Sequence, residues 1–93
     1  MNIFNILKVY AGKWSVKETR ALSAEEKAAI IHAVVVPSQY GNSVQFTMAG
    51  GGLTFIPLSQ NSTLCVGETV DPDKAKLVTL CKSGEEDIYR IEI

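Results

Sequence analysis

Between Ala28 and Gly67 the chain has no Asp, Glu, Lys or Arg, although its 93 residues carry nine basic and ten acidic side chains. Forty consecutive residues without a charge, broken by glycines and rich in Ser, Thr, Asn and Gln, are too polar for a membrane span and too apolar for a disordered linker. The stretch reads as the sheet of a small β domain. Sheet edges normally carry charges that block pairing with another chain, so their absence predicts a sheet closed into a barrel or covered by a partner.

Other scarcities narrow the function. No run of eighteen apolar residues occurs, and the start, Met1-Asn2-Ile3-Phe4-Asn5, lacks the basic region and apolar core of a secretory signal, so the expectation is a cytoplasmic chain with no membrane partner. Two cysteines, Cys65 and Cys81, are too few for a disulfide framework; their neighbours Leu64, Val66 and Leu80 predict buried or half-buried structural thiols. His32 is the single histidine, which leaves a zinc site short of ligands. Asp71 and Asp73 lack the later oxygen ligands of a calcium loop, and Gly50-Gly51-Gly52 lacks the lysine and the strand-to-helix setting of a phosphate cradle. No cofactor or metal is implied. Ser38 and Cys65 have no neighbouring base to activate them, so the sequence offers no arrangement for catalysis and reads as a binding protein.

The charges that are present are unevenly placed. Lys8, Lys13, Lys17 and Arg20 face only Glu18 near the start, whereas Glu85, Glu86 and Asp87 cluster near the end. A local basic stripe, not the net charge of −1, decides whether a polyanion can bind.

At 93 residues the chain makes one domain. Residues Ile3 to Tyr10 fit a strand or a short helix, and their β-branched and aromatic content favours the strand. After a turn at Ala11-Gly12, Lys13 to Leu22 reads as a second strand with Lys13, Ser15, Lys17 and Thr19 opposite Trp14 and Val16. Ser23-Ala24-Glu25-Glu26 is a capping box, which predicts a helix from Ala24 to about Ala33. Val34-Val35-Val36 then starts a β segment that Pro37 places at an edge or bend, and Ser38 to Asn42 form a bulge or turn.

The clearest hairpin runs from Ser43 to Met48, through the loop Ala49-Gly50-Gly51-Gly52, to Leu53 through Leu58. A four-residue loop would set Met48 opposite Leu53, Phe46 opposite Phe55 and Val44 opposite Pro57, with their side chains on one face. A one-residue slip would exchange the two faces. Beyond it, Ser59 to Thr63 is a polar connection, Leu64 to Val66 a short apolar piece, and Gly67 to Val70 the lead into a turn. Asp71-Pro72 predicts one helical turn through Lys74. Lys76 to Lys82 and Ile88 to Ile93 are the last strands, joined by a turn at Ser83 to Glu86, with Tyr89, Ile91 and Ile93 on one face and Arg90 on the other.

The expected fold is therefore mainly β (α+β): a small five- or six-stranded antiparallel barrel with one α-helix. Tyr40-Gly41-Asn42-Ser43-Val44-Gln45-Phe46, the glycine tip, Phe55-Ile56-Pro57-Leu58-Ser59 and Gly67-Glu68-Thr69-Val70 resemble small phage-type single-stranded-DNA-binding proteins of the OB-fold kind, over roughly the last two thirds of the chain. The helix precedes the central hairpin here, whereas the usual OB order places it after the third strand.

The resemblance implies an OB-like barrel that binds single-stranded nucleic acid, DNA first, with aromatic rings stacking on bases and cations holding phosphates. The candidates are Trp14, Tyr40 and Phe55 for stacking, and Lys13, Lys17, Arg20 and Lys82 for phosphates. The alternative is an assembly or adaptor module that pairs its uncharged hairpin with a protein partner or a second copy. A homo-oligomer is compatible with both.

Overall fold

In the computed structural model, which describes residues 14–93, the elements in chain order are β1 Ser15–Ala21, α1 Ala24–Ala29, β2 Ile30–Ser38, β3 Gly41–Met48, β4 Leu53–Pro57, β5 Lys76–Cys81 and β6 Ile88–Glu92. The strand expected at Ile3 to Tyr10, the Ala11-Gly12 turn and Lys13 lie outside the described residues. Six strands and one helix make the domain mainly β, as expected. They form two antiparallel three-stranded sheets, ordered β1-β5-β6 and β2-β3-β4.

β-Branched residues decide where the helix stops. The cap is the expected box: Ser23 Oγ accepts the Glu26 N–H at 3.1 Å, and the Glu26 carboxylate accepts the Ser23 N–H at 2.7 Å. The helix then ends at Ala29, four residues before the expected Ala33. Ile30, Ile31 and Val34 to Val36 lose rotamer freedom in a helix and pack well on a pleated surface, so β2 begins at once and pairs with β3.

The two sheets meet at one short seam, and a loop covers the free edge of β2. The Ser59 N–H donates to the Ile91 carbonyl at 2.8 Å, beside a parallel bridge between Leu58 and Ile91. On the far side of β2, Val35 N–H donates to Glu68 C=O (2.9 Å), Gly67 N–H to Val35 C=O (2.8 Å) and Val70 N–H to Ala33 C=O (2.9 Å). Gly67 to Val70 thus cover the edge of β2, a role the sequence reading missed by treating them as the lead into a turn. No ladder among the described residues closes the sheets into a barrel. Pro57, at the end of β4, has no N–H to extend the short seam with β6.

Glycine conformations set the registers of the β2–β3 and β3–β4 hairpins. In the β3–β4 loop the Gly51 N–H donates to the Met48 carbonyl, the Met48 N–H donates to the Gly52 carbonyl, both at 2.9 Å, and Gly51 has φ +97°. This is a type I turn followed by a left-handed residue, and it closes a loop of three residues where four were expected. The register therefore slips by one: Val44 pairs with Ile56, Phe46 with Thr54 and Thr47 with Leu53. Phe46 is buried at 3% exposure, while Phe55 turns to the opposite face at 55%. The expected pairing of Phe46 with Phe55 is overturned. A similar device follows β2, where Gln39 and Tyr40 form the turn, Ser38 Oγ accepts the Tyr40 N–H at 3.2 Å, and Gly41 has φ +99°.

Inward residues from both sheets make one core, with Val35, Val44, Phe46, Leu58 and Ile91 at its centre and Leu22, Val70 and Ala75 sealing it. In β1 a bulge between Val16 and Glu18 breaks the expected alternation, so Lys17 and Thr19 do not share a simple face. The expected turn after Asp71 forms, with the Lys74 N–H on the Asp71 carbonyl at 2.9 Å and the Asp73 N–H on Asp71 Oδ1 at 2.9 Å. Both cysteines are free thiols; Cys81 is half-buried, but Cys65 is exposed, against expectation, because its segment belongs to no strand.

Candidate functional site

The three exposed aromatic side chains of the described residues meet in one groove. Tyr40 reaches it from the β2–β3 turn, Phe55 from the outer face of β4 and Tyr89 from β6, with exposures of 61%, 55% and 47%. The groove holds about 380 Å³, and Ile56, Pro57, Asp87, Ile88 and Arg90 complete its walls. It lies where β4 and β6 diverge from their junction at Leu58 and Ile91.

Main-chain groups also face this divergence. Met48 with Gly52 and Asn42 with Leu58 are hydrogen-bonded at the two ends of the β3–β4 ladder. Bonded and non-bonded pairs alternate in an antiparallel ladder, so Thr54 and Ile56 direct their N–H and C=O to β3, whereas Leu53, Phe55 and Pro57 direct theirs outward. The missing N–H of Pro57 falls on this outward side, where its loss breaks no bond to β3. On β6 the Ile91 carbonyl serves Ser59, so Tyr89 shares the outward orientation; its carbonyl accepts Arg90 Nη1 at 3.4 Å.

Carboxylates occupy most of the nearby cations. Lys17 Nζ lies 2.9 Å from Asp87 Oδ2, and this hydrogen bond, then the charge of Asp87, raises the lysine pKa. Arg20 grips Glu26 with two bonds of 2.7 and 3.0 Å; the contact raises the arginine pKa and, with the Ser23 N–H, holds the Glu26 carboxyl down at about 2. Lys27 pairs with Asp73 at 3.2 Å. Arg90, in contrast, has no ion-pair partner among the described residues.

The sequence candidates are thus divided. Tyr40 and Phe55 come together, and the groove adds Tyr89 and Arg90. Lys17 and Arg20 line a neighbouring hollow of about 390 Å³ that shares Tyr89 and Asp87 with the groove. Trp14 sits on the other face of the β1-β5-β6 sheet, against Val16, Val78, Leu80 and Ile88, in a hollow that Arg90 borders as well as the groove, with Lys82 Nζ 5.6 Å from the Trp14 ring centroid. That cation–π contact engages Trp14 and Lys82 with each other. Lys13 lies outside the described residues.

Tyr89 was missed because its alternation with Ile91 and Ile93 reads as a core face. The face is buried only at Ile91, and the strand emerges from the core at Tyr89. The overlooked signal was the acidic turn just before Tyr89, which places the start of β6 near solvent.

A second cleft, of about 340 Å³, lies under α1, lined by Leu22, Ala29, Phe46, Met48, Ile56 and Leu77 with Glu25 and Glu26 at its rim. Glu26 is already committed to Arg20 and Ser23, so this cleft brings little polar chemistry inward. Among the described residues there is no cluster of three His, Cys, Asp or Glu side chains suited to a metal and no helix long and apolar enough to cross a membrane. Comparison of the chain with protein-family models, with curated proteins and with solved structures finds no match.

Proposed function

We propose that this protein binds single-stranded nucleic acid, DNA first, without catalysis, in the groove between β4 and β6, and that its two sheets act as an open, OB-like barrel. The convergence of Tyr40, Phe55 and Tyr89 beside Arg90 is the observation that carries this reading. Flat rings on a half-open groove suit bases that are not paired, and each stacked base is worth about 1–3 kcal/mol. Duplex DNA keeps its bases inside and offers such rings nothing to stack on.

The charge pattern modifies the expected mechanism. Lys17 and Arg20 must give up Asp87 and Glu26 before they can hold a phosphate, so stacking supplies most of the affinity and Arg90 the main phosphate contact. The salt dependence is then shallow, because each neutralised phosphate of a single strand contributes only about 0.7 to the slope of log K against log salt. Fluorescence anisotropy of a labelled oligothymidylate, titrated at two salt concentrations with a duplex control, tests the reading. Binding to the single strand with a slope of about one or two supports it; equal binding to duplex, or none at low salt, overturns it.

A further inference from the structure

Tyr40 borders a second hollow as well as the groove. It holds about 250 Å³ and lies where the β2–β3 turn meets the chain that leaves β4. Buried Leu58 and half-buried Leu64, which pack with the core, supply its apolar wall. Asn42, Ser59, Gln60 and Ser62 supply a polar one. Asn42 stands there because alternation along β3 puts it on the inward face of Val44 and Phe46, at the end of the strand.

These polar groups are held in place yet free to bond. The Ser62 N–H donates to the Ser59 carbonyl at 3.0 Å and closes a turn, while the Ser59 N–H is tied to Ile91. Ser59 Oγ accepts the Asn61 N–H at 3.4 Å and Ser62 Oγ the Leu64 N–H at 3.2 Å, which leaves both hydroxyls free to donate. The side-chain amides of Asn42 and Gln60 form no hydrogen bond with another described residue.

We infer that this hollow is a base-reading subsite, in which a base stacked on Tyr40 turns its Watson–Crick edge to the amides of Asn42 and Gln60. The inference rests on the proposal that the groove takes single-stranded nucleic acid. A nucleobase joins apolar faces to an edge of donors and acceptors, and the hollow meets the faces with Tyr40 and leucine and the edge with amides and hydroxyls. A phosphate is poorly matched, because no Lys or Arg lines the hollow among the described residues. Tyr40 is shared with the groove, so a strand that passes Tyr89 and Phe55 reaches this place next. Ser59 and Gln60 form its far side and separate it from the hollow of Trp14. The rings of the groove hold any base by its face, whereas the amides distinguish one edge from another.

N3-methylthymine tests the edge apart from the face, since it keeps the stacking ring of thymine and replaces the N3–H donor with a methyl group. Fluorescence anisotropy compares a labelled oligothymidylate with the same oligomer built from N3-methylthymidine. The wild type should bind the methylated strand about tenfold more weakly. Gln60→Ala and Asn42→Ala should each weaken binding of the plain strand and narrow that ratio to about two- or threefold. Circular dichroism checks that both variants fold, and Gln60 is exposed, so its truncation leaves the core intact. Equal binding of the two strands by the wild type, or a ratio unchanged in both variants, overturns the subsite and leaves the groove standing. No binding of either strand overturns both.

Discussion

Phe46 and Phe55 stand on strands of one hairpin and do opposite work, so replacing each with Ala tests the register directly. Phe46 is 3% exposed and packs among Val35, Val44 and Ile91; its truncation should cost about 3–5 kcal/mol through lost burial and the cavity left behind. Phe55 is 55% exposed on the other face, so its truncation should change stability by less than about 0.5 kcal/mol. The same change should weaken oligonucleotide binding by about 1–3 kcal/mol, roughly 5- to 150-fold. Urea denaturation reads the first quantity and fluorescence anisotropy the second. Equal destabilisation by the two substitutions would place both rings on one face, which requires the four-residue loop, and would refute the three-residue turn at Gly51.

Gly41→Ala should cost about 1–2 kcal/mol in urea denaturation from backbone strain alone, because φ is +99° while no atom lies within 4 Å of the added Cβ. Glu26 titrates near 2 in the folded chain, below its ordinary value of 4.5, so its ion pair contributes stability above about pH 4.5 that is lost as the pH falls toward 2. The stability difference between wild type and Glu26→Gln should accordingly shrink between pH 5.5 and pH 3; a constant difference would mean that the ion pair is not felt. Arg90→Ala should weaken oligonucleotide binding and reduce its salt slope by about 0.7, whereas Lys17→Ala should leave the slope unchanged while Asp87 holds that lysine.

Signals confined to a few neighbouring residues were legible in the sequence. The Ser23–Glu26 box marks the helix start, Asp71-Pro72 the separate turn before β5, and Tyr40 beside Gly41 an aromatic that reaches solvent. Features set by distant partners were not. The helix ends early because Ile30 and Ile31 find β3 across the sheet. Nothing local shows that Gly51, and not Gly52, completes the turn, and that one choice carries Phe55 from the core face to the groove. Lys17 and Arg20 read as a basic stripe because Asp87, seventy residues away, and Glu26, on the helix, are invisible to a scan along the strand.

The most direct test of the account is a nitrogen-15 correlation spectrum of the labelled protein titrated with a short oligothymidylate. The account predicts that the largest shifts fall on Tyr40, Phe55, Tyr89 and Arg90, with Trp14 and Lys82 nearly still. Shifts centred on Trp14 and Lys82, or no shifts with saturating oligonucleotide, would contradict it.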